Sequence, residues 1–496
     1  MIFYIAGFGF HFYGISKEFS SEFLFQDSDY IGMDEVIREI FRGNGFHSAY
    51  YSESGKGSYL SHHFAPSLVF YIPFVSLFPD RWGYAIGCYT YTVLGIVGWG
   101  FLLLGESEKK GNPHKQTVFW ILWIALLNQL YIYRLGTSYH FEVLVLPFSS
   151  LFFYFYISLK DEKERSLRKW FGLLFSLGLF LSVKEDIAVY VGIFSFVSWL
   201  YEIYLTKKNS LYKGIRFRSL PFVILILSVS YFIYSFLIFP YWIEGSSTPS
   251  WTNELSRDYA AYYKKVEGLN KSFRIFLEIA ISGGLGIITV LPEAIVWMLI
   301  YITHIISSRP WHHEVYSYYS YTLLPFVLFS GVLWIGKKKE IPYWGMFLIL
   351  GLIFYKNSLD GNYPMNLNKQ NIKTEAEIQR REIKNKIGKE LEEAKNMIRN
   401  DGIVYSQYNL SFYAPKDIPV RPVRLFETEC LLKSDLDDSA GKSVSVSFCY
   451  VMMAPGFTDE AFHPKQEFLE TEILLREKKA KSIYQGSFVE LWKLSF

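Results

Sequence analysis

Long apolar runs recur along the first 356 residues, and short clusters of Lys and Arg separate them. No other feature limits the possible folds as much. A hydrocarbon core of about 30 Å takes roughly 20 mostly apolar residues per helical span. Backbone polar groups inside it must be satisfied within the segment, which favours helices. Suitable runs lie near 1–14, 83–104, 117–134, 139–159, 170–183, 187–206, 219–241, 273–291, 292–306, 319–336 and 342–356. The expectation is an all-α polytopic membrane protein of about 11 transmembrane helices. The first run is short for a span, so it is either tilted and frayed or part of a longer helix. It lacks the basic start and small-residue cleavage site of a signal peptide.

Orientation follows from the basic clusters. Loops 105–116 (Lys109, Lys110, Lys115), 160–169 (Lys160, Lys163, Arg165, Arg168, Lys169), 207–218 (Lys207, Lys208, Lys213, Arg216, Arg218) and 337–340 (Lys337, Lys338, Lys339) read as cytoplasmic. The N-terminus is then cytoplasmic and the C-terminus outside. The count closes only if Phe64–Phe78, which contains Pro66 and Pro73, does not cross and forms a re-entrant or interfacial helix. Two domains are expected: 1–356, a transmembrane domain with an extracytoplasmic first loop at 15–63, and 357–496, a soluble extracytoplasmic α/β domain. The tail opens with a charged helix near Thr374–Arg399. It continues in short apolar runs, Gly402–Tyr405, Val444–Met452 and Phe488–Leu494 among them, broken by Pro, Asp and Gly.

Composition agrees with a membrane setting, because aromatics make up 19% of the chain, far more than a soluble core needs. A net charge of +3, spread in small loop clusters, speaks against a nucleic-acid partner. Three cysteines occur, without metal-type spacing. An extracytoplasmic tail would allow Cys430 and Cys449 to form a disulfide.

The unusual polar residues gather in the outside loops or at their edges. The first loop carries Asp29 and Asp34 in "QDSDYIGMDEVIREIF". A carboxylate just above the membrane can serve as general base for an acceptor hydroxyl or hold a divalent cation, Mg or Mn, that neutralises a phosphate leaving group. The plainer alternative is a solvated acidic loop, with Asp34 and Glu35 favouring the start of a helix running through Phe41. His62 and His63 precede the Pro-containing apolar stretch, where imidazoles meet a lipid phosphate or a metal, or simply anchor the helix. Lys184, Glu185 and Asp186 sit between two apolar runs. Ionisable groups at such a place are costly unless paired or facing a wet cavity. Either they form a tight surface turn, or Lys184 meets a phosphate with Glu185 or Asp186 orienting it. His140 with Glu142, and His312 with His313, form two further clusters on the same side. The tyrosines Tyr316, Tyr318, Tyr319 and Tyr321 that follow suit an interfacial belt or a sugar-stacking platform.

The stretches "DYIGMD" (29–34), "HFAP" (63–66), "HFE" (140–142), "KED" (184–186) and "HHEVYSYYSYTLLP" (312–325) together resemble a family of bacterial predicted multi-pass membrane proteins of unknown function. That family shares a D-L-G-x-F-D-like first loop, an H-F-x-P motif, an H-x-E turn, a K-E-D turn and a late H-Y loop. Here the glycine of the first motif is displaced to Gly32 and Glu35 stands where Gln is usual. The family is similar in architecture to the GT-C glycosyltransferases. The resemblance therefore implies a bacterial inner-membrane enzyme that moves a sugar from a polyprenyl-phosphate donor to an extracytoplasmic glycan, lipid or protein. It implies Asp29 as the first-loop acid, with Asp34 second. Transport or flipping of a lipid-linked or polar substrate is the alternative, and a non-catalytic membrane scaffold the third reading; a transporter would show inverted repeats and paired charges near the midplane.

Overall fold

A computed structural model describes residues 28–51, 57–78, 82–108, 139–161, 166–208, 219–239, 291–306, 318–337, 375–407, 410, 413–415, 418–431, 448–455 and 465–495. They fall into two units. One takes the described residues from Leu60 to Lys337, the other those from Ser28 to Tyr59 and from Glu375 to Ser495. Helix α1 (Ser28–Phe41) belongs to the second.

The first unit is helical. A 3-10 turn (Pro66–Tyr71) leads into α2 (Ile72–Leu77), and α3 (Trp82–Glu108) follows. After a second 3-10 turn (Phe141–Leu144) come α4 (Val145–Asp161), α5 (Leu167–Leu181), α6 (Ile187–Lys208) and α7 (Leu220–Phe232), the last prolonged by a π turn over Ile233–Ile238. Helices α8 (Leu291–Ile306) and α9 (Leu324–Lys337) complete it. Among the described residues four helical segments are long and apolar enough to cross a membrane: Trp82–Glu106, Phe141–Lys160, Ile187–Leu205 and Leu220–Ile238. Each coincides with an expected span. The runs at 170–183, 292–306 and 319–336 correspond to the shorter α5, α8 and α9, while 1–14, 117–134, 273–291 and 342–356 lie outside the described residues. Pro66–Leu77, only about 18 Å long at 1.5 Å per residue, is too short to cross. Its prolines open the two short pieces, where a missing N–H costs nothing.

Neighbouring helices pack as α3 on α4, α4 on α5, α6 on α7 and α6 on α8, with α9 against α3, α4 and α8. Rings fill the centre: Phe153 stacks on Phe329 at 4.0 Å, and Phe152, Tyr156, Phe194 and Phe326 surround the pair. Gly95 and Gly98 let α3 approach α4, since a Cβ at either would run into Leu146 or Ser150. Large apolar side chains such as Phe171, Phe175, Leu200, Leu205, Ile226 and Leu237 remain on the outside, as a lipid-facing surface requires.

The second unit is built on a sheet of β1 (Gly402–Ser406), β2 (Val420–Pro422), β3 (Phe448–Met453), β4 (Lys481–Gln485) and β5 (Glu490–Ser495), in the order β2-β1-β3-β5-β4. The β2-β1-β3 pairs are parallel; β3-β5 and β5-β4 are antiparallel. Strand alternation sends Val404, Tyr450, Met452 and Leu491 to one face, against Ile387, Leu391 and Ala394 of α10 (Glu375–Lys395). Tyr405, Cys449, Val451, Met453, Trp492 and Leu494 go to the other, with Phe468 and Leu475 of α11 (Lys465–Glu477). This is a small three-layer α/β arrangement. Buried Glu390 of α10 accepts the N–H groups of Ser487 (3.0 Å), Phe488 (2.8 Å) and Val489 (3.0 Å), fixing the turn before β5. A disulfide joins Cys430 to Cys449. The first loop is tied into this unit by Arg424, which donates to the carbonyls of Ala49 (3.1 Å) and Tyr50 (2.8 Å).

Candidate functional site: a buried cluster around Lys184

The turn between α5 and α6 holds Lys184 and Glu185, each only 7% exposed, with Asp186 beside them. It is no solvated surface turn, and each charge has a partner from another part of the chain. The Lys184 ammonium donates to Glu142 Oε1 at 3.0 Å, where Glu142 is 2% exposed. Nζ also lies 5.4 Å from the centre of the Tyr321 ring. Tyr321 donates its hydroxyl to Asp186 Oδ2. Glu185 divides its oxygens: Oε1 meets His63 Nδ1 at 2.8 Å and Oε2 accepts the Phe64 N–H at 2.9 Å. The Ser67 N–H reaches the Ser182 carbonyl at 3.2 Å, fixing the same two segments together.

Local backbone aims these groups. Tyr139, at φ +56°, adopts the left-handed conformation that non-glycine residues seldom take, and it turns the chain into His140 and Glu142. His140 Nδ1 stands 3.7 Å from Glu142 Oε2. Phe64 points its ring among Tyr231, Tyr234 and Phe239, at 5.8, 5.9 and 4.5 Å, where the π turn interrupts the end of α7. His62 and His63 lie edge to face at 4.5 Å.

Burial weighs on every charge in the cluster. It opposes the Lys184 ammonium, yet Tyr321, Glu142, Asp186 and Glu185 hold that group well above the ordinary lysine range. Burial raises Asp186 to about 6 although Lys184 pulls it down. Glu185 is likewise raised by burial, with Lys184 and the N–H groups it accepts opposing. His62 is pushed down to about 3 by burial and by His63, so its imidazole is neutral.

The structure thus brings together His63, Glu142, Lys184, Glu185 and Asp186, with His62 and His140 at the margins. His312 and His313 lie outside the described residues. Asp29 is the second residue of α1, and Asp34 lies further along it, both in the second unit. Asp34 is buried and takes Arg38 through both oxygens, at 2.6 and 3.1 Å. Burial raises its carboxyl, and Arg38 opposes. Tyr321 is the member that sequence reasoning did not single out, because it stands in a tyrosine-rich stretch that also fits an interfacial belt. Its place one turn before α9 was the available signal. Among the described residues no three His, Cys, Asp or Glu side chains come together as ligands for a metal. Glu185 has both oxygens engaged, so the cluster as arranged does not fit a divalent cation.

The family model described as Predicted membrane protein (DUF2079) matches residues 29–382, about seven-tenths of the chain. The chain belongs to that family. All five motif stretches fall inside the matched DUF2079 region, as the motif resemblance implied. No curated protein matches the chain. Two crystal structures of ArnT from Cupriavidus metallidurans are similar to this DUF2079 member in fold. The one bound to undecaprenyl phosphate has a TM-score of 0.52 and 11% identity, covering 97% of each chain. The apo structure has a TM-score of 0.50 and 11% identity, covering 98% of each.

Proposed function

We propose that the protein is a GT-C-type membrane glycosyltransferase that moves a sugar from a polyprenyl-phosphate donor to an extracytoplasmic acceptor. The observation that carries this reading is the buried Lys184 cluster, built from four separate motif stretches in a chain with the ArnT fold. An ArnT structure holds undecaprenyl phosphate, which supports a lipid phosphate as the carrier here. In the proposed reaction the acceptor oxygen attacks the sugar's anomeric carbon and gives its proton to Asp29. The bond from that carbon to the phosphate oxygen breaks, and its electron pair leaves with the polyprenyl phosphate.

Lys184 suits the receiving end. Its ammonium has three N–H donors, and one is spent on Glu142. The charge that develops on the departing phosphate is stabilised by a cation already fixed in place. His62, as a neutral imidazole, and His63 complete the phosphate-binding side, while His140, Glu142 and Asp186 keep the lysine in position. Asp29 carries the base role, since Asp34 is engaged by Arg38. In its alternative role, Asp29 would hold a divalent cation, Mg or Mn, in place of acting as base. The reading places the protein in a bacterial inner membrane with about 11 spans, a cytoplasmic N-terminus and the α/β unit outside; the disulfide supports that compartment.

The test is transfer of labelled sugar from a polyprenyl-phosphate donor by the full chain in vesicles. Asp29→Asn and Lys184→Met should each lower transfer by at least 100-fold, on the order of what one preorganised group contributes, with insertion unchanged. Full activity in Asp29→Asn would sink the proposal. Donor movement across the vesicle without sugar transfer would favour transport.

A further inference from the structure

The contact between "HFAP" and "KED" has a chemistry of its own. Glu185 sits 121–122 positions away from Phe64 and His63, yet its two oxygens close on the His63 ring and on the next backbone N–H. A carboxylate on Nδ1 fixes both the ring plane and the tautomer, putting one proton on Nδ1 and making Nε2 the atom that carries the second. The Phe64 ring, wedged among Tyr231, Tyr234 and Phe239, stops the backbone of this pair from turning away. The setting also favours a positive ring. Glu142, Glu185 and Asp186 set three carboxyl groups against the single ammonium of Lys184, and His62 is neutral.

We infer that Glu185 is a positioning residue that holds His63 as an imidazolium, and that His63 Nε2–H recognises the phosphate of the lipid carrier. The inference rests on the reading above for the identity of the carrier. On cleavage of the sugar–oxygen bond, the phosphate oxygen that keeps the electron pair takes the Nε2 proton. His63 is left neutral with its Nδ1–H still on Glu185; Asp29 releases the acceptor's proton to solvent and His63 takes one back from it, so that no net proton is gained or lost. The groups facing the pair are His62 on its own segment, Lys184 and Asp186 on the turn, and Tyr231 on α7. Of these Lys184 stays cationic and His62 neutral, while Asp186 titrates at about 6 and so does the second ionisation of the phosphate, about 6. The fall in affinity that persists in Asp186→Asn and disappears in His63→Asn belongs to His63.

The experiment is binding of a polyprenyl monophosphate to the full chain in nanodiscs across pH 5 to 9. Affinity should fall about 10-fold or more as pH rises through the His63 limb. His63→Asn should remove that limb, leaving only the pH dependence of Asp186 and of the phosphate itself. Glu185→Gln should move the limb down by about a pH unit or more, because an imidazolium has lost its carboxylate, and Glu185→Asp should bring it back. An unchanged limb in Glu185→Gln, or a retained one in His63→Asn, would overturn the inference. So would absent binding by the wild type, or equal displacement by inorganic phosphate, which would deny a lipid-borne ligand. Should Glu185→Gln not fold, the His63→Asn and Glu185→Asp profiles decide alone. pH-dependent binding without sugar transfer would leave this inference standing and remove the transferase reading.

Discussion

Lys184 and Glu142 show what a buried ion pair costs and holds. Neither charge would enter so dry a place alone, and removing one partner strands the other, at a cost of about 3–5 kcal/mol. Glu142→Leu is therefore expected to lower the thermal midpoint in detergent by several degrees, and Glu142→Leu with Lys184→Met to recover much of that loss while remaining inactive. Asp186 adds a pH signature. Its carboxyl is raised from 3.8 to about 6, so the folded state holds this proton more tightly than the unfolded one. Its stabilising share is present below the unfolded value and is lost as pH climbs towards about 6. Thermal midpoints measured over that range should fall with pH in the wild type and flatten in Asp186→Asn. Tyr321→Phe, which deletes a hydrogen bond that lowers this carboxyl, should extend the decline to higher pH.

At the scale of elements, two devices place the cluster. Helices α3 and α4 approach through Gly95 and Gly98, and that contact sets the height of the 3-10 turn carrying Glu142 at the head of α4. Gly95→Val would press a branched side chain against Leu146 and force the pair apart, at about 1–3 kcal/mol. The expected result is a lower thermal midpoint, together with weakened transfer as Glu142 shifts; unchanged values for both would show that the helices have room. The second device is the broken segment Pro66–Leu77. Its two short pieces bring the N-terminal end beside the turn at 182–186 without crossing, through Ser67 on Ser182.

On the scale of the whole molecule, the proposed sidedness, with the basic loops inside and the disulfide-bonded unit outside, can be tested by labelling. Arg168→Cys, at the exposed start of α5, should resist a membrane-impermeant maleimide in intact cells and label after lysis. Ser487→Cys, exposed before β5, should label in both. The native thiols do not interfere, since Cys88 is buried and the other two are bonded. Labelling of both positions from one side would overturn the topology. Much of this architecture was legible in the chain itself. Span positions follow from run length, because transfer from water to hydrocarbon is nearly a sum over local residues; the runs at 83–104 and 187–206 meet α3 and α6 almost end to end. The alternating stretches near Gly402 and Phe488 likewise became β1 and β5. The motifs could be read as polar and ionisable, but not as partners. That Glu185 takes His63 and not Lys184, that Tyr321 leaves the tyrosine belt for Asp186, and that the first-loop stretch at Ala49 and Tyr50 joins the α/β unit through Arg424 were decided by tertiary structure. Sequence sets the desolvation cost of each buried charge. Only the packed helices determine which neighbour offsets it.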